Sequence, residues 1–183
     1  METIISSLVG YGIIVMIALT TIMIALLVVR YYRVEHPLIE QFKNILDQYG
    51  LLIMFGVILG SIAGSLYYSS IGYTPCVLCW WQRMMIYPQI VVLGIALWAG
   101  GFTKQLRLVS LILASIGIVI AIWHVGLQSS WGFVAGIPCA ATGGVYCNTV
   151  PFKIFGFITI PIMSLVIQLF ISLINGITFR NQS

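Results

Sequence analysis

The chain has 183 residues, of which 61% are hydrophobic and only 7% are charged. A soluble globular domain usually carries about 25% charged residues. This composition, with its mean hydropathy of +1.10, excludes that class and indicates an integral membrane protein. The net charge of +4 is thinly spread along the chain, so nothing suggests nucleic acid as a partner. The length fits one small helical bundle without a separate soluble domain.

The first predicted element is an uncharged apolar run over residues 4–29, which is followed by Arg30 and Arg33. About 20 apolar residues cross the hydrocarbon core of a bilayer, so the run is long enough to span it. A cleaved signal peptide is the alternative. However, no basic segment precedes the run and no small-residue cleavage motif ends it. We therefore predict a retained N-terminal transmembrane helix within residues 1–33.

Residues 34–49 have a different character. Apolar side chains recur there at helical spacing, at Leu38, Phe42, Ile45 and Tyr49, and charged or amide side chains occupy the other faces. This pattern predicts an amphipathic helix that lies on the membrane surface.

Four further apolar runs predict a four-helix transmembrane bundle over residues 50–176, with spans near residues 51–68, 78–99, 106–126 and 154–175. In the first of these runs a glycine recurs every four residues, at Gly56, Gly60 and Gly64. Such a pattern lets a neighbouring helix approach closely. The predicted fold class is all-α, a polytopic membrane protein with a four-helix bundle plus one additional N-terminal transmembrane helix.

The distribution of positive charge predicts the orientation of these spans. With five spans, the segments after the first, third and fifth lie on one side, and they carry Arg30, Arg33, Lys43, Lys104, Arg107 and Arg180. The opposite side has Lys153, and Arg83 lies at the start of a helix. Because positively charged loops stay in the cytoplasm, we expect the N-terminus outside, the C-terminus inside, and all four cysteines on the outer face.

The stretch from Thr74 to Arg83 combines a predicted helix start with two cysteines. Thr74 suits a helix cap and Pro75 the first helical position. Cys76 and Cys79 follow three residues apart, a spacing from which two thiols can form a disulfide. A helix N-terminus and a nearby guanidinium both lower the pKa of a thiol. The stretch therefore indicates a reactive dithiol, with Arg83 as a functional charge at the membrane boundary.

A second pair, Cys139 and Cys147, lies in the long loop over residues 127–153. Two pairs on the oxidising side suggest a relay, because thiol–disulfide exchange passes electrons from one pair to the next. A plain structural disulfide in the loop is an alternative. A four-thiolate zinc site is another, although the second pair lacks the usual short ligand spacing. We expect a redox function for the two cysteine pairs and no bound metal.

His124 lies near the outer end of the fourth span, at the predicted depth of Arg83. A histidine inside a membrane is often only a packed, hydrogen-bonded residue. Beside an arginine and a dithiol it could instead donate to a carbonyl oxygen of a redox cofactor that gains negative charge. Gln128, one turn further on, is a weaker candidate for the same role.

These motifs resemble the DsbB/BdbC-type membrane thiol oxidases, the quinone-reducing disulfide bond formation proteins. The similarity rests first on residues 76–88, Cys-Val-Leu-Cys-Trp-Trp-Gln-Arg-Met-Met-Ile-Tyr-Pro. It extends to Trp123-His124 with Leu127-Gln128, to the loop cysteines, and to residues 155–161. The resemblance covers about residues 51–175, so the N-terminal span and the surface helix are additions to the family pattern.

The resemblance implies an enzyme of the bacterial cytoplasmic membrane that reoxidises a DsbA-like oxidase of thioredoxin fold. By that similarity, Cys139 and Cys147 exchange with the partner, which attacks Cys139. Cys76 and Cys79 exchange with a membrane quinone, either ubiquinone or menaquinone, and Cys79 is the thiolate next to it. Arg83 and His124 would bind the quinone.

Two other interpretations remain open at the level of sequence. A vitamin-K-epoxide-reductase-like protein also pairs a membrane-level Cys-x-x-Cys with loop cysteines, but there the motif lies late in the bundle. A non-catalytic membrane subunit could carry the same cysteines as structural disulfides. That alternative gives no reason for Arg83 one turn beyond a dithiol at the membrane edge.

Overall fold

The computed structural model describes residues 2–31, 37–129, 147, 148, 150 and 153–179. These residues form five helices, which are α1 (Glu2–Tyr31), α2 (Pro37–Ser70), α3 (Val77–Trp98), α4 (Lys104–Gln128) and α5 (Ile160–Phe179). The described part of the chain has no strand, only an isolated antiparallel bridge between Ile154 and Ile158. The predicted all-α class is confirmed.

Four helices contain segments that are long and apolar enough to cross a membrane, namely α1, α2, α4 and α5. Helix α3 is not among them, because Gln82, Arg83 and Gln89 lower its hydropathy. Its 22 residues nevertheless measure about 33 Å at 1.5 Å per residue. Short turns join it to α2 and α4, so it runs back across the same layer as its neighbours. The prediction of a multi-pass helical membrane protein is confirmed.

The predicted surface helix is not a separate element. Helix α2 runs without a break from Pro37 to Ser70, and it joins the described part of the 34–49 segment to the first span of the bundle. Phe42 and Leu46 pack against the core, whereas Ile45 and Tyr49 are about half exposed. The amphipathic pattern therefore indicates helix correctly. It does not indicate where the helix ends. Nothing in the sequence around Gly50 stops a helix, so α2 continues into the first predicted span.

Helix α5 lies at the centre of the molecule and contacts each of the other helices, while α3 lies between α2 and α4. The core between them is mainly apolar and includes Met54, Leu93, Ala114 and Ile171, each fully buried. Helix α1 lies outside this bundle, packed mainly along α5 and only slightly against α2.

The glycine stripe of α2 does not serve the close packing predicted for it. A β-carbon added at Gly56, Gly60 or Gly64 would have no other atom within 4 Å. A close contact between helices occurs elsewhere, at Gly117 of α4, where an added β-carbon would collide with the amide of Gln168 of α5. The spacing of small residues permits close approach, but it does not determine which helix comes near.

Candidate active site

Cys76 itself is the residue that caps α3. Its extended backbone (φ −72°, ψ 171°) places its sulfur to accept the backbone N–H of Cys79, at 3.3 Å. Thr74 and Pro75 precede the helix rather than beginning it, so the predicted cap at Thr74 was wrong by two residues. The consequence is that the first thiol of the motif points directly at the positive end of the helix dipole.

The two sulfurs of the motif lie 3.0 Å apart, and both cysteines are free and buried. When Cys76 is ionised, the thiol of Cys79 donates to it. That hydrogen bond lowers the pKa of Cys76 below its ordinary value, with further help from His124 and from the backbone N–H of Cys79, whereas burial opposes the shift. In this arrangement the donors converge on Cys76. Cys79 was the expected thiolate from the family resemblance.

His124 is fully buried and faces Cys76, with its Nε2 3.7 Å from the cysteine sulfur. On its other side, the amide Nε2 of Gln82 lies 3.3 Å from Nδ1. Because an amide nitrogen donates, Nδ1 accepts, and the proton of a neutral His124 is then on Nε2, facing the sulfur. The ring is thus held in the orientation that stabilises a thiolate. The role of Gln82 was missed at the sequence level, although a glutamine one turn beyond Cys79 at the start of an apolar run was a visible signal.

Cys147 reaches the same place from the loop that follows α4. It is disulfide-bonded and 1% exposed, and its sulfur, the sulfur of Cys76 and a ring nitrogen of His124 all lie within 4.8 Å of one another. Cys139, its predicted functional partner, lies outside the described residues. Three such atoms could also ligate a metal, but the sulfur of Cys147 is committed to a disulfide here. The arrangement instead places a thiol beside a disulfide, as exchange requires.

Arg83 extends from α3 towards α2. Its Nη2 donates to the hydroxyl of Ser69 at 2.8 Å and to the carbonyl oxygen of Ser65 at 3.3 Å. The guanidinium also lies 5.4 Å from the ring centroid of Trp80, which is itself half exposed. The arginine is therefore held in place by polar contacts and does not simply reach for water.

A cavity of about 370 Å³ begins at the cysteine motif and extends into the membrane layer between α1, α2, α3 and α5. Its polar end is formed by Cys76, Cys79, Arg83, His124 and Gln128, so the predicted site residues that the structure describes, other than Cys147, line one space. The rest of the lining is predominantly apolar. Its size lies at the lower end of the range for small-molecule sites.

Three buried polar atoms on the cavity lining have no hydrogen-bond partner among the described residues: Ser61 Oγ, Ser164 Oγ and Gln82 Oε1. Buried polar groups are nearly always partnered. Gln82 Oε1 can only accept a hydrogen bond, whereas the two serine hydroxyls can donate to an oxygen atom of a ligand whose body is otherwise apolar. A quinone has that chemistry, since its carbonyl oxygens accept hydrogen bonds from hydroxyls and guanidinium groups. Neither serine was predicted, because an isolated serine in an apolar run carries no distinguishing pattern.

The chain is similar in sequence to known proteins over most of its length. The family model for the disulfide bond formation protein DsbB matches residues 47–178. A probable disulfide formation protein C of Bacillus cereus is 37% identical over 139 residues, which is 74% of this chain and 96% of the relative. Disulfide bond formation protein C of Bacillus subtilis is 39% identical over 125 residues, covering 66% of this chain and 88% of the relative. No solved structure matches.

The match covers the cysteine motif, the buried histidine and both loop cysteines. It begins inside α2 and leaves α1 outside. It supports the resemblance drawn from the sequence over the alternative of a vitamin-K-epoxide-reductase-like protein. The chain thus belongs to the DsbB family of membrane proteins that function in disulfide bond formation.

Proposed function

We propose that this chain is a thiol oxidase that withdraws electrons from a dithiol protein outside the cytoplasm and passes them through two cysteine pairs to a membrane quinone. The observation that carries the proposal is the meeting of Cys76 with the disulfide-bonded Cys147 at the head of an apolar cavity. A purely structural disulfide would not explain why a free, buried dithiol lies beside it.

The exchange steps balance within the cysteines. A thiolate of the partner, a DsbA-like oxidase, attacks Cys139 of the loop disulfide and releases Cys147 as a thiolate. Cys147 then attacks Cys76 of an oxidised Cys76–Cys79 pair and releases Cys79. The second thiolate of the partner displaces Cys139, which in turn attacks Cys147 and frees Cys76. The partner leaves oxidised, the loop disulfide is restored, and Cys76 and Cys79 hold the two electrons.

The surroundings of the motif suit each of these steps. The Cys79 backbone N–H and His124 stabilise Cys76 as a leaving thiolate, which lowers the barrier for the last exchange. Once reduced, Cys76 and Cys79 lose two electrons and two protons as their disulfide forms again. A bound quinone would supply the two-electron acceptor, and Arg83 with Ser61 and Ser164 would hold its oxygens.

The proposal includes an orientation, with the cysteines and the N-terminus outside and the C-terminus inside. It is supported by the excess of positive residues on the predicted inner side. Reporter fusions after Lys104 and after Ser129 should report opposite compartments. Two cytoplasmic reporters would contradict both the orientation and the access of an external partner to the loop.

The function is tested by single turnover of purified protein that carries Cys139→Ser and Cys147→Ser. We expect the reduced variant to form one quinol per Cys76–Cys79 disulfide when quinone is added without oxygen. It should not oxidise a DsbA-like dithiol. A folded variant that forms no quinol would contradict the proposed order of the two pairs, and wild-type protein that forms none would contradict quinone dependence.

A further inference from the structure

Helix α1 is an addition to the family pattern. The relative from Bacillus cereus is matched over 96% of its length, so too little of it remains to supply a counterpart of this 30-residue helix. The polar chemistry described above therefore lies in the shared bundle. The question is what α1 contributes to this chain.

Helix α1 is seated closely on the turn that precedes α5. A β-carbon added at Gly10 would lie 2.5 Å from Ile154 Cγ2 and 2.6 Å from Phe155 Cε2. The rings of Tyr11 and Phe155 meet next to this point, with centroids 5.2 Å apart. Further along the helix, Ile13 and Met23 are buried. The N-terminal part of α1 is thus held closely against the turn that precedes α5.

One face of α1 forms part of the cavity wall through Val9, Gly12, Ile13 and Met16. These residues recur at helical spacing, so they lie on a single stripe of the helix. Without α1, the cavity between α2 and α5 would open directly into the lipid. Helix α1 therefore separates the cavity from the surrounding bilayer.

The wall formed by α1 has a slot along its border with α2. Gly60 and Gly64 line the cavity on the α2 side and Gly12 lines it on the α1 side. A β-carbon at any of the three would have no other atom within 4 Å. The two helices barely pack against each other, whereas α1 packs well against α5. The slot is therefore an opening from the apolar cavity towards the lipid.

We propose that α1 is the lipid-side wall of the quinone site and that the isoprenoid tail of the quinone leaves the cavity through the slot between α1 and α2. This inference rests on the proposed function. A cavity of about 370 Å³ accommodates a substituted ring and the beginning of a tail, so a long tail must leave it. The slot offers an apolar route without side chains in the way. Helix α1 thus makes tail recognition in this chain depend on a segment outside the family match.

The test narrows the slot from each side in the full-length protein. Gly60→Leu and Gly12→Leu place side chains in the open space on α2 and α1. Gly56→Leu is the matched control, because it makes the same change on α2 at an open, exposed position that does not line the cavity. Quinone reduction is measured with a long-tailed quinone and with a tailless, water-soluble analogue of the same ring.

We expect both slot variants to raise KM for the long-tailed quinone by about tenfold or more, which is the scale of one misplaced apolar group in a pocket. The KM for the tailless analogue should change by less than about twofold, and Gly56→Leu should match the wild type with both. This dependence on the tail would not arise from general destabilisation of the fold.

Two results would overturn the inference while leaving quinone chemistry intact. If Gly12→Leu has the same quinone kinetics as Gly56→Leu, α1 is not part of the quinone site. Equal losses with long-tailed and tailless quinones would show that the variants disturb the ring site and not a route for the tail. A wild-type protein that reduces neither quinone would defeat the proposed function, and this inference with it.

Discussion

In the orientation proposed above, the half of the bundle that contains the cysteine motif is the outer half and the opposite one is the inner half. Both contain buried polar side chains, but they use them differently. In the inner half, Ser110 donates to Gln89 at 2.9 Å, Gln89 donates to Gln168 at 3.1 Å, and Asn175 donates to Ser110 at 3.2 Å. Arg107, 3% exposed, adds a hydrogen bond to the carbonyl oxygen of Asn175. These residues join α3, α4 and α5 to one another through a chain of direct contacts.

In the outer half, the same three helices bring together Gln82, His124 and Ser164. Here the polar groups surround free thiols and a cavity, and some of their atoms have no partner among the described residues. The inner network is closed by close packing, as at Gly117, whereas the outer group leaves space. The comparison teaches that buried polarity alone does not identify a site in a membrane protein. Polarity that borders a cavity does, because buried atoms without a partner among the described residues also occur away from the cavity, at Gln168 Nε2 and Ser172 Oγ.

The largest effect is expected from Cys76→Ser at the outer end. This change removes the sulfur that lies beside both Cys79 and the Cys147 disulfide, so no electrons can pass between the pairs and turnover should fall to background. Oxidation of a DsbA-like dithiol by purified protein measures this. Ser110→Ala, an inner-half control, should keep its activity per folded molecule. If a folded Cys76→Ser protein still turned over, the polar residues of the outer half would not form the reactive site that distinguishes it from the inner half.

Arg83→Met should have the next largest effect. Loss of one preorganised donor to a developing negative charge typically costs about 2.7–4 kcal/mol, or roughly 10²–10³ in rate. Arg83→Lys should not restore full activity, because lysine lacks the planar fork and is more strongly hydrated. Steady-state quinone reduction gives kcat and KM for each variant. If a folded Arg83→Met protein has unchanged quinone kinetics, the arginine serves only as an anchor at the membrane interface.

Arg107→Met provides the inner-half counterpart to that variant. It removes a buried cation that bonds to Asn175 and lies 5.1 Å from the ring centroid of Phe102. We expect a loss of about 1–3 kcal/mol in the free energy of unfolding, since buried acceptors lose their donor. Activity per folded molecule should be retained. Reversible unfolding in mixed micelles, followed by activity of the folded fraction, separates the two effects. An inactive but fully stable variant would make the inner network part of the reaction.

The smallest effect is expected from Ser164→Ala. A neutral hydrogen bond contributes about 0.5–1.5 kcal/mol, so the KM for quinone should rise by roughly twofold to tenfold with little change in stability. Ser172→Ala is the matched control on the same helix, because its hydroxyl is also buried without a partner among the described residues but does not line the cavity. Equal kinetics for the two variants would show that Ser164 does not hold the ligand.

The family, the helical class and the position of the Cys76–Cys79 pair at the start of a helix could be predicted because each depends on a local pattern. Apolar runs of about 20 residues indicate spans, and Cys76, Cys79 and Arg83 lie within two turns of one helix. The position of the helix cap was less secure, since Thr74, Pro75 and Cys76 are adjacent candidates. Cys76 is the N-cap of α3 because its sulfur accepts a hydrogen bond from the backbone N–H of Cys79.

The sequence by itself determined that the chain is a multi-pass helical membrane protein, where the thiols lie along the chain, and which chemistry thiols at those positions can perform. Only the tertiary structure decided that Cys147 and His124 meet Cys76, that Gln82 orients the histidine, and that Gly60 and Gly64 of α2 border a cavity instead of a helix. It also decided that one face of α1 lines this cavity. The physical reason is range: periodicity and helix ends act over a few residues, whereas these contacts depend on how helices far apart in the chain pack together.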